Sequence, residues 1–163
     1  MGYDSHRFVS GRPLVLGGVV IPSEQGLAGH SDADAVLHAV IDALLGAAGL
    51  GDIGEHFPDT DPQWRGADSS RLVEHVVLLL ENAGLRVVNC DITILTERPK
   101  LSPHKPAIRE RIADLLNVDE ESISVKAKTN EGMGWIGDGS GLAAMAVVLL
   151  EEVTTLPRPR AIV

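Results

Sequence analysis

Aromatic side chains are scarce in this sequence: two Trp, two Phe and one Tyr among 163 residues. Its core must therefore be filled by Ala, Val, Leu and Ile. Hydrophobic residues make up 44% of the chain, which at this length is enough to bury one substantial core and argues against disorder. There is a single cysteine, Cys90. It rules out an intramolecular disulfide and fits a reducing, cytoplasmic setting. Long apolar runs are missing too. Leu142 to Leu150 falls well short of the roughly 20 residues a membrane helix needs, and no signal-peptide pattern is read. Positive charge is also in short supply, with 14 Lys and Arg against 23 Asp and Glu, a net charge of −9. That balance argues against nucleic acid or an anionic membrane as a partner. A small phosphorylated substrate remains open to it, because local backbone N–H groups and a cation can hold phosphate against the global charge.

The pattern along the chain reads as one domain over 1–152, followed by a tail over 153–163 whose Leu156-Pro-Arg-Pro-Arg160 is expected to fray. Pro13 to Pro22 reads as two short strands broken at Gly17-Gly18. Ala33 to Gly49 is an amphipathic helix with Ala35, Val36, Ala39, Val40, Ala43 and Leu44 on its apolar stripe. Gly49 to Ala67 is a Gly-, Asp- and Pro-rich loop long enough to suggest function. Ser69 to Ala83 is a second helix, capped by Asp68 or Ser69 and ended at Gly84. A β-branched strand over Arg86 to Thr96, a third helix over Pro103 to Asn117 and a strand over Ile123 to Lys128 follow. Leu142 to Leu150 fits helix or strand by pattern alone.

Two clusters of imidazole and carboxylate stand out: Tyr3-Asp4-Ser5-His6, and Gly26 to His38. On a strand, Asp4 and His6 point to one face. With His38 from the first helix they make a three-ligand set with an open position, as in a catalytic zinc or manganese site. Each alone has a plainer reading, a surface pair or a satisfied core histidine. Ser31, three residues before Asp34, reads as a capping-box start. His30-Ser31 at a helix entrance suits a phosphate, and Asp34, His38 and Asp42 are expected on one helix face. Arg98-Pro-Lys100 and Lys126 to Gly132 follow strand ends, where lysines and backbone N–H groups suit phosphate. Glu131 is a candidate Mg²⁺ ligand.

Five motifs then occur in order: Tyr3-Asp-Ser-His-Arg-Phe8; Gly29-His-Ser-Asp-Ala-Asp-Ala-Val-Leu-His-Ala39; Leu50-Gly-Asp-Ile-Gly54 with Phe57-Pro-Asp-Thr-Asp-Pro62; Arg98-Pro-Lys100; and Val125-Lys-Ala-Lys-Thr-Asn-Glu131. From Gly2 to about Glu151 the chain resembles the 2-C-methyl-D-erythritol 2,4-cyclodiphosphate synthases. The resemblance implies an α+β fold, a four-stranded mixed sheet with helices packed on one face, and a homotrimer with active sites at subunit interfaces. It implies a small-molecule cytidine diphosphate substrate, cyclised with loss of CMP. It places Zn²⁺ or another divalent cation on Asp4, His6 and His38, and Mg²⁺ or Mn²⁺ with the substrate diphosphate, ligated by Glu131. His30 and Thr129 match the positions that stabilise the transition state, and Ser31 helps hold a phosphate. Asp52, Ile53, Gly54, Phe57, Pro58, Asp59, Thr60 and Asp61 match the erythritol-binding loop. Thr96, Glu97, Arg98, Pro99, Lys100, Leu101 and Ser102, with Lys128, Thr129, Asn130 and Glu131, match a cytidine-diphosphate pocket supplied by the neighbour. Trp135 and Asp138 belong to the segment facing the trimer cavity, where Asp138 and Ser140 replace the usual arginine and glutamate. Relatives carry an apolar strand before the Tyr-Asp motif, so the resemblance implies a shortened strand around Asp4 and His6. Two other readings compete with cyclisation: a metal-dependent phosphohydrolase, and a trimeric isoprenoid-diphosphate binder without catalysis.

Overall fold

A computed structural model describes residues 1–153; the tail expected to fray lies, apart from Val153, outside the described residues. The first strand, β1 (Gly2–Ser10), is followed by a hairpin, β2 (Leu14–Leu16) and β3 (Val19–Ile21), and by the short β4 (Gln25–Leu27). The helix α1 (Ala35–Ala48) comes next, then the single turn α2 (Ile53–His56) and the longer α3 (Ser69–Asn82). Strand β5 (Leu85–Leu95), helix α4 (Lys105–Leu116), strand β6 (Ile123–Lys128), the short α5 (Gly134–Gly137) and strand β7 (Gly141–Glu152) complete the order. Leu142 to Leu150 is thus a strand. Its alternation puts Leu142, Ala144 and Ala146 inward and leaves Val147 and Leu149 on the other face.

The main sheet has five strands in the order β4-β1-β7-β5-β6, which corrects the expected four. The extra member is β4, three residues beside Phe8 to Ser10. Gln-Gly-Leu has too little β-branched content and too short a run to show as a strand in sequence. The β5–β6 pair is parallel and the other neighbours antiparallel. Strand β1 pairs with β7 from Gly2 opposite Ala146 to Arg7 opposite Gly141. Asp4 and His6 therefore sit within a paired ladder, not beside a frayed end.

The shortage of aromatics shapes the packing. Helix α1 buries Ala35, Ala39 and Ala43 with Val36, Val40 and Leu44, facing the small inward residues of β7. Small side chains on both surfaces let helix and sheet approach closely. At Gly2 even a Cβ would overlap the Ala39 carbonyl. Helix α1 ends at Gly49, in the left-handed region at φ 69, as a helix C-terminus favours. Its start corrects one expectation. The cap is Asp34, whose carboxylate accepts from Val36 and Leu37 N–H, and Ser31 lies further back. Asp34 is fully buried and also accepts from Gly17 N at 2.9 Å and Gly18 N at 2.6 Å, so it ties the β2–β3 turn to the helix. As the cap it stands one turn before His38, whose N–H donates to its carbonyl at 3.0 Å. Asp42 does lie on the helix, and it accepts from Ile53 N at 2.9 Å, linking α1 to α2.

Candidate metal centre

Strand β1 and helix α1 together bring Asp4, His6 and His38 to one point. Asp4 Oδ2 lies 2.9 Å from His6 Nε2 and 2.9 Å from His38 Nδ1. The two nitrogens are 3.3 Å apart. A tetrahedral site with bonds of about 2.0–2.1 Å has edges near 3.3 Å, so the three donor atoms stand close to the spacing a zinc ion requires. They are the one group of at least three such ligands among the described residues. One carboxylate and two imidazoles suit a borderline cation such as zinc, and three protein donors leave a fourth position open. The residues fit the cation.

The charge balance points the same way. Burial opposes ionisation of Asp4, but hydrogen bonds from His38 and His6 outweigh it and hold its pKa well below the usual carboxylate range. Burial likewise disfavours a charge on His38, yet the bonded Asp4, with Asp34 and Asp32 nearby, raises its pKa above the ordinary value. Surroundings that favour a proton on this ring also favour a cation beside it.

The far side of His38 is occupied as well. Its Nε2 is 3.0 Å from Ser69 Oγ and 3.1 Å from Ser31 Oγ. Ser69 opens α3 and is fully buried. Its hydroxyl is 2.5 Å from Asp32 Oδ1, and its N–H donates to Asp32 Oδ2 at 3.0 Å. The loop carrying His30 and Ser31 is held by Arg12, which donates to Gly29 O at 2.7 Å and to Ser31 O at 2.5 Å. Ala33 follows at φ 62, a left-handed conformation unusual for alanine, and donates its N–H to Ser31 Oγ at 3.1 Å. His30 is exposed at the rim and Ser31 is largely buried beside the ligands. Sequence reading missed Asp32, Ser69 and Arg12. Ser69 showed only as a candidate cap, and Asp68 takes that role by accepting from Ser70 N.

The remaining expected site residues lie elsewhere. Asp52 caps α2, accepting from Glu55 N at 3.1 Å. Phe57 is buried, edge-on to Trp64 at 5.0 Å, so Ile53, Gly54, Pro58, Asp59 and Thr60 carry the more accessible part of that loop, and Asp61 caps the turn at Pro62–Trp64. At the end of β5, Thr96 N donates to Lys128 O at 3.0 Å and Thr96 Oγ1 to Arg98 O at 2.6 Å. Glu97 Oε1 accepts from Asn130 N at 2.8 Å and Gly132 N at 3.2 Å, so it shapes the turn that presents Thr129 and Glu131. Thr129 Oγ1 donates to Glu131 Oε1 at 2.8 Å. Leu101 is buried while Lys100 and Ser102 are exposed. A groove of about 730 Å³ runs between Ser23 to Gln25, Glu97 to Lys100 and Gly137 to Gly139. Asp138 lines it with Arg98 and Lys100, and Trp135 is partly exposed nearby in sequence. Within one chain the two groups stay apart. Asp4, Ala144, Ile94 and Ala127 form one row across β1, β7, β5 and β6, so the end of β5 lies two strand spacings, about 10 Å, and the end of β6 three, about 14 Å, from β1.

The comparisons agree with this geometry. A family model described as the YgbB family matches residues 1–151. A Symbiobacterium thermophilum protein named 2-C-methyl-D-erythritol 2,4-cyclodiphosphate synthase is 62% identical over 149 residues, 91% of this chain and 95% of that protein. A Clostridium perfringens protein of the same name is 55% identical over 150 residues, 92% and 96% of the two chains. A solved 2C-methyl-D-erythritol-2,4-cyclodiphosphate synthase, described as the CDP-bound form, matches with a TM-score of 0.85 at 44% identity, covering 92% of this chain and 97% of that one. The bifunctional IspDF of Campylobacter jejuni matches with a TM-score of 0.89 at 43% identity over 93% of this chain, which spans 41% of that longer protein. On sequence, fold and relatives alike, this chain belongs to the YgbB family, and the curated relatives it matches are named 2-C-methyl-D-erythritol 2,4-cyclodiphosphate synthases.

Proposed function

We propose that the chain catalyses the reaction for which its relatives are named. It converts 4-diphosphocytidyl-2-C-methyl-D-erythritol 2-phosphate to 2-C-methyl-D-erythritol 2,4-cyclodiphosphate and CMP, as a cytoplasmic lyase of non-mevalonate isoprenoid synthesis. The observation that carries this reading is the convergence of the Asp4, His6 and His38 donor atoms beside the Ser31 hydroxyl.

In this reaction an oxygen of the substrate's 2-phosphate forms a bond to the β-phosphorus. The bond from that phosphorus to the bridging oxygen breaks, and its electron pair leaves with CMP. Attack is intramolecular, so no side chain need act as nucleophile. The protein folds the substrate into line, an effect worth about 7–11 kcal/mol when geometry is well held. It also offsets the phosphoryl charge. Asp4, His6 and His38 would hold a zinc ion, which would supply Lewis acidity toward a phosphoryl oxygen and a fixed template. Glu131 would be the protein carboxylate for a magnesium or manganese ion carried with the diphosphate, an ion that typically takes only one or two. Ser31 offers a hydroxyl donor, Thr129 offers one once Glu131, to which it now donates, turns to a cation, and His30 offers an imidazole N–H at the rim. Lys100, Arg98 and Lys128 supply positive charge toward the diphosphate. The loop from Asp52 to Asp61 offers carboxylates to erythritol hydroxyls.

A homotrimer with shared sites accounts for two observations. The nucleotide-side residues stand about two strand spacings (after β5) to three (after β6) from the metal ligands of their own chain, so a neighbour's strand ends are invoked to complete a site. The helix-free face of the sheet also carries exposed Tyr3, Val147 and Leu149, at 50%, 51% and 55% exposure, an apolar surface of the kind partners cover.

Phosphorus NMR of the protein with this substrate, Zn²⁺ and Mg²⁺ tests the proposal. Two coupled signals of a cyclic diphosphate alongside CMP are expected. Inorganic phosphate or two linear products would instead make the chain a hydrolase, and unchanged substrate would make it a binder.

A further inference from the structure

We infer that Asp32 and Ser69 are positioning residues that fix the tautomer of His38 and so prepare its Nδ1 for a cation. The inference rests on Asp4, His6 and His38 being a cation site.

The proton count follows from the contacts. An ionised carboxylate only accepts hydrogen bonds. Asp32 Oδ1 lies 2.5 Å from Ser69 Oγ, so the single hydroxyl proton of Ser69 points to Asp32. Asp32 is itself clamped by Ser69 N at 3.0 Å and Asp34 N at 3.2 Å. With its proton committed, Ser69 Oγ can only accept at its 3.0 Å contact with His38 Nε2. That nitrogen must then carry the hydrogen. In the metal-free ring Nδ1 carries a hydrogen as well and donates it to Asp4 Oδ2 at 2.9 Å; with Nε2 kept protonated, Nδ1 is the nitrogen that gives up its hydrogen and turns its lone pair to a cation. Ligating histidines are commonly oriented by a partner on their second nitrogen. Here the partner is a hydroxyl whose direction is dictated by a carboxylate one step further away. Ser31 Oγ already accepts from Ala33 N and lies on the same side of Nε2. The relay thus leaves the Ser31 proton free for an anionic ligand.

The test uses zinc alone, without substrate. The full-length protein is labelled with ¹⁵N-histidine, and the tautomer of His38 is read by long-range ¹H–¹⁵N correlation in the zinc-loaded state. Zinc affinity is measured by chelator competition for the native protein, Ser69→Ala, Ser69→Thr and Asp32→Asn. The native protein is expected to show hydrogen on Nε2. Ser69→Ala and Asp32→Asn should weaken zinc binding by about 10–100-fold, with Ser69→Thr recovering most of the loss. Hydrogen on Nδ1 in the loaded native protein would overturn the relay even if no variant folds. Zinc affinity within twofold of native in folded Ser69→Ala would do the same. A native protein that binds no zinc would overturn the cation site, and the relay with it.

Discussion

Asp34→Ala removes one carboxylate and strands four backbone N–H groups. Two of them, Val36 and Leu37, are the first turn of α1, and losing such a cap costs about 1 kcal/mol. The other two, Gly17 and Gly18, belong to the β2–β3 turn, and each donor left buried without a partner costs about 1–3 kcal/mol. The hairpin can shift to admit water, which favours the low end, so a loss of about 3 kcal/mol is expected. For a chain of this size that lowers Tm by roughly 6–12 °C. Burial pushes the Asp34 pKa up to about 6 against the pull of its amide donors. Urea unfolding at pH 8 therefore compares ionised carboxylates in both states. The measurement uses metal-free protein at one fixed concentration, because the proposed subunit association would make the midpoint depend on concentration. Asp42→Ala, which loses one bond to Ile53 N, serves as the control at about 1 kcal/mol. A loss below 1 kcal/mol for Asp34→Ala, or one no larger than the control, would refute the idea that this residue locks hairpin and helix together.

Three further outcomes are expected. His38→Ala abolishes cyclisation while circular dichroism and oligomer size stay native; full activity in the coupled CMP assay would sink the metal assignment. Gly2→Ala drives a methyl group into the Ala39 carbonyl, separating β1 from α1, so both zinc affinity and Tm should fall, whereas an unchanged Tm would show that the strand accommodates it. The raised pKa of His38 gives metal-free protein a contribution that is full below its unfolded value of 6.5 and is lost as pH rises through the folded value. Zinc reverses that trend because it requires the ring without the competing proton; thermal melts from pH 6 to 9, with and without zinc, read the change of sign.

Much of the site could be read locally. Asp4 and His6 two apart on a strand, and His38 on an amphipathic helix, are short-range patterns whose geometry is set by secondary structure alone. The helices and long strands followed for the same reason, since alternation and apolar spacing persist over many residues. What stayed hidden depends on contacts distant in sequence. Strand β4 exists because β1 offers an edge to Gln25–Leu27, not because its residues favour extension. Asp34 displaced Ser31 as the cap because the glycine turn at Gly17-Gly18 folds back onto it. Ser69 meets His38 from 31 residues away, and no spacing rule reaches that far. Leu142 to Leu150 was undecided between helix and strand because its outer face is apolar too, with Val147 and Leu149 exposed, so its alternation in burial has no matching alternation in polarity.

The central strand of the sheet is also the last strand among the described residues. β7 lies between β1 and β5, yet it is residues 141–152 of the chain. Until it emerges, β1 has only the three residues of β4 to pair with, and isolated pairings that small are marginal at best. The helix bearing His38 is finished early in synthesis, whereas Asp4 and His6 get their places only when Ala144 and Leu142 arrive opposite them. Pairing the first strand with the last makes for slow, late closure. The cation site therefore takes shape only once β7 has been made. A stalled or clipped product would carry both histidines and the aspartate in its sequence and still have nowhere to hold a metal ion.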